Sequence, residues 1–216
     1  MAKNTYKSPT TNNGAARKET AERKPTRRRQ ASRWSRAVAF FNDPRTHLTG
    51  GMLLLFLAFF LCIAFVSYLF TGRADQSSVN AVLDTPLPES GAETENWLGV
   101  TGAFLSHWFI YKWFGVSAFL LIPILFLAGY KIVFKRELFP IGRLTQVSVF
   151  AGVWISALLG YLVVGTEQRE WLGFLSGGVG YELAAFCNSL LGWGTVLLLG
   201  FSLVVFVVYF FNVTTI

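Results

Sequence analysis

Charge is nearly missing from most of this chain. After residue 47, sixteen of the remaining 169 positions are Asp, Glu, Lys or Arg, and over all 216 residues the share is 14%. A water-soluble domain carries about 25%, so a body that faces water on every side is excluded. Histidine occurs only as His47 and His107, and cysteine only as Cys62 and Cys187. No HxxxH, CxxC or paired-carboxylate spacing exists, so the donor sets that hold a metal are missing, and both histidines read as solvated or hydrogen-bonded side chains. The last lysine is Lys135 and no GxxxxGK precedes it. A P-loop needs that lysine beside a glycine-rich turn to hold phosphates, which excludes ATP hydrolysis by that mechanism. A GxSxG nucleophile elbow is missing too. Two cysteines are too few to indicate a redox compartment; a bridge between them stays open, and small packing residues is the plainer reading.

What the chain has instead is long apolar runs, at Leu48–Phe70, Gly115–Phe134, Leu144–Val164 and Gly194–Phe211. A hydrocarbon core of ~30 Å takes about 20 helical residues. Backbone polar groups find no partner in lipid, so each run must be a helix. The reading is an all-α integral membrane protein with four transmembrane helices, covering residues 45–213, behind a polar tail at 1–44. A cleaved signal peptide does not fit, because the first run starts late and is too long for an h-region.

The tail is basic. Residues 1–47 hold twelve of the nineteen Lys and Arg against three acids, leaving the rest of the chain slightly acidic. Having almost no large apolar groups, residues 1–36 cannot offset their chain entropy and are expected to be disordered. Arg27, Arg28, Arg29, Arg33 and Arg36, with Trp34 among them, suit an anionic lipid surface at about 1 kcal/mol each. Contact with DNA phosphates is the weaker alternative. The stretch Ala37–Phe41 reads as a short surface helix stopped at Asp43-Pro44.

Between the runs the charge alternates. The loop from Thr71 to Trp97 carries five acids and one base, and Pro86, Pro88 and Gly91 make it irregular. The apolar stretch Leu98–Phe134 would run ~55 Å as one helix, so it must divide. Gly115 is the natural break, leaving Trp97–Trp113 as an outer interfacial helix. Pro123 is expected to kink the span that follows. The next loop offers Lys131, Lys135, Arg136 and Arg143 against Glu137. In the third span Gly152, Ser156 and Gly160 recur every four residues and read as a close-packing seam. Beyond it, Ser176-Gly177-Gly178 interrupts a semi-apolar stretch, and an amphipathic helix is expected from Tyr181 to Leu191. Lys and Arg stay on the inner side of spans, so the tail, the Lys131–Arg143 segment and both termini should be cytoplasmic. None of the four spans holds Asp, Glu, Arg or His near its centre, and Lys112 can snorkel to the headgroups, which leaves little support for a transport pathway.

Three patches go further. They are Asn96-Trp97-Leu98-Gly99-Val100-Thr101-Gly102-Ala103; Phe114-Gly115-Val116 with Pro123 downstream; and Ser176-Gly177-Gly178-Val179 ahead of Gly192-Trp193-Gly194-Thr195. In order and spacing they resemble the amino-terminal four-span domain of the FtsK/SpoIIIE DNA translocases, in a Bacteroidetes-like form, over about residues 45–211. The resemblance implies an anchor, self-associating, in the inner membrane at the division septum, near septal division proteins. It implies no cofactor here, because ATP and Mg2+ belong to the motor of such proteins, and DNA is met through that motor or weakly through the tail. The chain then reads as a fragment or a truncated product, and as no enzyme in itself. The alternative is a small standalone four-span protein, a transporter subunit or channel-like bundle.

Overall fold

The computed structural model describes residues 3, 43–81, 94–166 and 169–212. The basic tail arginines, the surface helix expected at 37–41 and the loop prolines Pro86 and Pro88 fall outside these residues. All regular structure among the described residues is helical.

Helix α1 is Pro44–Thr71. Asp43 and Pro44 begin this helix; the preceding helix they are expected to stop lies outside the described residues. Pro44 takes the first helical position, where its missing N–H loses nothing, and the Asp43 carboxylate accepts from the Arg45 N–H at 2.9 Å. At 1.5 Å per residue its 28 residues span ~42 Å, ample for a bilayer. Ala58, Leu61, Ala64, Phe65 and Tyr68, at helical spacing, turn one face inward, while Leu53, Phe56, Phe59 and Phe70 stay exposed on the other. An exposed face this apolar belongs in lipid.

A short helix α2, Asp75–Ala81, follows a turn. The expected irregular loop is therefore helical at its start. Its anchor is the Asp75 side chain, 1% exposed, which accepts from the Thr71 hydroxyl at 2.9 Å and the Glu95 N–H at 2.6 Å. Both ends of the loop are thus tied to the end of α1.

The long apolar stretch divides as its length demands. It runs as α3 (Gly99–Ser106), a π-helical segment (His107–Phe114), a 3₁₀ segment (Gly115–Leu120) and α4 (Leu121–Phe134). The break is at Gly115, whose φ of 65° is left-handed. Pro123, expected to kink the span, sits instead in the first turn of α4, where a missing N–H is tolerated. The kink belongs to the glycine. The stretch expected to lie in the interface packs against the protein on one side: Ala103 and Ile110 are fully buried, and Ile110 joins Leu61, Ala64, Phe65 and Tyr68 of α1 in one core.

Helix α5 is Ile141–Val164, α6 is Arg169–Leu191 and α7 is Gly194–Phe211. Instead of starting at Tyr181, α6 starts at Arg169 and contains a break at Gly177 (φ 66°, ψ 174°). Among the described residues four helical stretches are long and apolar enough to cross a membrane: Pro44–Thr71, Gly99–Phe134, Ile141–Val164 and Gly194–Phe211. α1 lies along α4, where Gly51 and Gly129 let the backbones close; a Cβ on Gly129 would meet the Gly51 carbonyl at 2.8 Å. α6 lies on α5 and on the π and 3₁₀ segments. α7 is the least buried of these four stretches, held to α5 by the Trp154 Nε1–H donating to Leu199 O (3.0 Å) and by Phe150 stacked on Phe206 at 3.8 Å.

Candidate functional site

Two helices broken at glycine cross at their breaks. Gly115 and Gly177 both have φ near +65° with extended ψ (−149° and 174°), a region essentially closed to side chains. A Cβ on Gly115 would overlap the Leu175 carbonyl, and one on Gly177 the Trp113 carbonyl and the Gly115 nitrogen. A Cβ on Gly178 would meet the Lys112 carbonyl at 2.6 Å. The crossing is thus backbone on backbone, and only hydrogen side chains permit it.

Breaking a helix frees carbonyls, which hydrocarbon cannot satisfy. Serines meet that need. The Ser117 hydroxyl lies 2.6 Å from Phe114 O and 2.7 Å from Gly152 O, and the Ser156 hydroxyl donates to Ser176 O at 2.6 Å. Gly152 and Ser156, with Gly160, are the seam expected on the third span. All three are buried there, and a Cβ on Gly160 would overlap the Gly180 carbonyl. The seam receives α6 and the 3₁₀ segment.

Of the glycine-rich positions singled out in the sequence, Gly115, Ser176, Gly177 and Gly178 come together at this crossing. Gly99 and Gly102 do not. They stand at the start of α3, Gly99 with φ +61° and Gly102 beneath the Asn96 side chain, leaving no room for a Cβ. Asn96, 4% exposed, donates to Ala64 O at 3.3 Å and accepts from Leu98 N–H at 3.1 Å. With the Ser67 hydroxyl accepting from Trp97 N–H at 3.0 Å, it fixes the chain's return onto α1. Pro123 joins neither group.

A polar cluster that sequence reasoning missed lies beside this return. His107 is 4% exposed, not solvated, and its ring stacks on Tyr111 with centroids 4.9 Å apart. Among the described residues its Nδ1 has no hydrogen-bond partner, and the same holds for the buried Thr195 Oγ1 where α7 begins. A cavity of about 270 Å³ opens nearby between Tyr68, Gly72, Arg73, Gln76, Tyr111 and Phe174. The signal for this cluster was one residue, a histidine in an aromatic run, and nothing in its spacing marks burial.

The basic loop residues are spread over the opposite end of α4. Lys131 donates to Glu137 Oε1 at 3.0 Å, and the Ile141 N–H reaches the same oxygen at 3.3 Å. The Lys131 hydrogen bond, with the Ile141 N–H second, holds the exposed Glu137 carboxyl below the usual range. Lys135 ends α4 in the left-handed region with φ 53°. Arg136 and Arg143 are exposed. Cys62 and Cys187 are free thiols, partly buried. Among the described residues no group of three or more His, Cys, Asp or Glu is placed to hold a metal ion.

The arrangement can hold helices together in lipid. A family model described as the 4TM region of DNA translocase FtsK/SpoIIIE matches residues 45–216. No curated relative and no solved structure matches the chain.

Proposed function

Because the chain belongs to the FtsK/SpoIIIE family through its four-transmembrane region, we propose that it anchors and oligomerises a septal DNA translocase in cell division and chromosome segregation. The observation that carries this reading is the family match to the whole chain after the tail, on a body with four helices fit to cross a membrane. The physical logic is effective concentration: a motor tethered beside the closing septum meets the DNA trapped there far more often than one free in the cell. In this reading the membrane is the bacterial inner membrane. The tail and the Lys131–Arg143 segment face the cytoplasm, by the excess of Lys and Arg there. ATP and Mg2+ serve the motor of such a translocase, not these residues. Arg27, Arg28, Arg29, Arg33, Arg36, Lys135, Arg136 and Arg143 bind anionic lipid and set orientation, and DNA is met through the motor or weakly through the tail.

A fluorescent protein fused to this chain tests the proposal in dividing cells. A band at the division plane is the expected result. Even labelling of the whole envelope would overturn septal anchoring and favour a standalone four-span bundle.

A further inference from the structure

A groove of about 640 Å³ separates the start of α1 from the end of α4, lined by Pro44, His47, Leu48, Lys131, Ile132, Val133 and Lys135. Its walls are apolar and its cations, Lys131 and Lys135, stand where two membrane-crossing helices end. We propose that this groove binds one anionic glycerophospholipid, its phosphate between Lys131 and Lys135 and an acyl chain along Leu48, Ile132 and Val133.

The chemistry points to a lipid and not to a soluble anion. A free phosphate gains nothing from Leu48, Ile132 and Val133, while an acyl chain does. A neutral phospholipid gains little from two lysines, while an anionic one gains about fivefold in affinity from each. The acids nearby are occupied: Asp43 accepts from the Arg45 N–H, and Glu137 accepts from Lys131 and Ile141. Glu137 holds Lys131 in an exposed pair that a phosphate can replace, since such a pair is worth little. Lys135 has no ion-pair partner among the described residues. The site deepens the lipid contact assigned to this loop above, but it does not depend on which side of the membrane the loop faces.

The test is native mass spectrometry of the full chain in lipid-free detergent, titrated with dioleoylphosphatidylglycerol. One saturable adduct is expected, with dioleoylphosphatidylcholine at least tenfold weaker. The Lys131→Gln, Lys135→Gln double variant should lose about 25-fold in affinity, and Lys131→Arg with Lys135→Arg should keep it. Leu48→Trp, which fills the groove without touching charge, should show a similar loss if the double variant proves unfolded. Arg136→Gln with Arg143→Gln, and separately Arg27→Gln, Arg28→Gln and Arg29→Gln together, should lower only the diffuse, non-saturating lipid attraction assigned to those arginines above and leave the saturable adduct within twofold. Equal losses in those controls, or no saturation, would mean diffuse surface attraction and overturn the site. So would displacement of the lipid by glycerol 3-phosphate at equal concentration, which would assign the groove to free phosphate. Septal targeting is read separately, so failure of the lipid site leaves the anchor reading standing.

Discussion

Gly115 and Gly177 lie against each other backbone to backbone, each with a left-handed φ, 65° and 66°, and each closed to a Cβ by the other's strand of chain. Replacing either with Ala combines a backbone conformation costing about 1–3 kcal/mol with an overlap that only separation of the helices can relieve. Gly115→Ala and Gly177→Ala should each lower the thermal midpoint of the detergent-solubilised protein sharply, or prevent its accumulation. Gly142→Ala is the control, because nothing lies within 4 Å of the added carbon; in helix α5 it should be neutral or stabilising by ~0.5–1 kcal/mol. Equal behaviour of the three variants would remove the crossing as a structural requirement.

Asp75 makes a second prediction, about the loop between α1 and α3. Its buried carboxylate accepts from Thr71 and from the Glu95 N–H; in Asp75→Ala the Thr71 hydroxyl keeps the Ser67 carbonyl at 3.2 Å, while the part-buried Glu95 N–H loses a bond to a charged group worth about 1.5–3 kcal/mol. Amide exchange at Glu95 should quicken by tenfold or more, while amides in the middle of α4 keep their protection. An unchanged Glu95 rate would show that the loop is held by Asn96 and Ser67 alone.

Much of this fold was legible because lipid makes simple demands. Length and composition set the four spans, and the impossibility of one ~55 Å helix placed the break at Gly115. The four-residue spacing of Gly152, Ser156 and Gly160 marked the seam. Other features rest on tertiary geometry that spacing does not encode. Pro123 looked like the kink, yet a proline kinks a helix only from its interior, and the glycine break eight residues earlier put it in a first turn. Trp97–Trp113 looked interfacial from its tryptophans, and Trp97, Trp108 and Trp113 are indeed exposed. The same stretch nonetheless buries Ala103, Ser106, His107 and Ile110 on its other side. Burial of His107 depends on where Tyr111 and Tyr68 fall, which no local pattern states. Asp75 was one acid among five in its loop, and only the fold singles it out.

The loop between α4 and α5 carries a pH prediction. Donation from Lys131, and secondarily from the Ile141 N–H, keeps Glu137 deprotonated to lower pH than an ordinary glutamate. A depressed carboxyl contributes above its unfolded value and loses that contribution as pH falls through its lowered one. In Lys131→Gln the larger cause is gone, so the carbon-13 carboxyl titration of Glu137 should move upward toward the usual range. Both side chains are exposed, so the thermal midpoint should hardly follow. A titration indifferent to Lys131 would show that the pair is not formed in solution.

Trp108 and Trp113 carry the last prediction, on partner contact. They are 41% and 42% exposed, their rings meet edge to face at 6.3 Å, and Lys112 Nζ sits 5.7 Å from the centre of the Trp108 ring. Large aromatic rings with a cation over one face are frequent anchors of protein contacts. If the Trp97–Trp113 segment meets septal division proteins, Trp108→Ser with Trp113→Ser should cut the fluorescence at the division plane by half or more. Trp108→Phe with Trp113→Phe keeps the apolar area and should retain most of it. The π segment around them packs on α6, so the thermal midpoint must be followed in both. Lost localisation with an unchanged midpoint assigns these rings to a partner. Full localisation in the serine variant leaves them to the lipid headgroups, where Trp is at home without any protein contact.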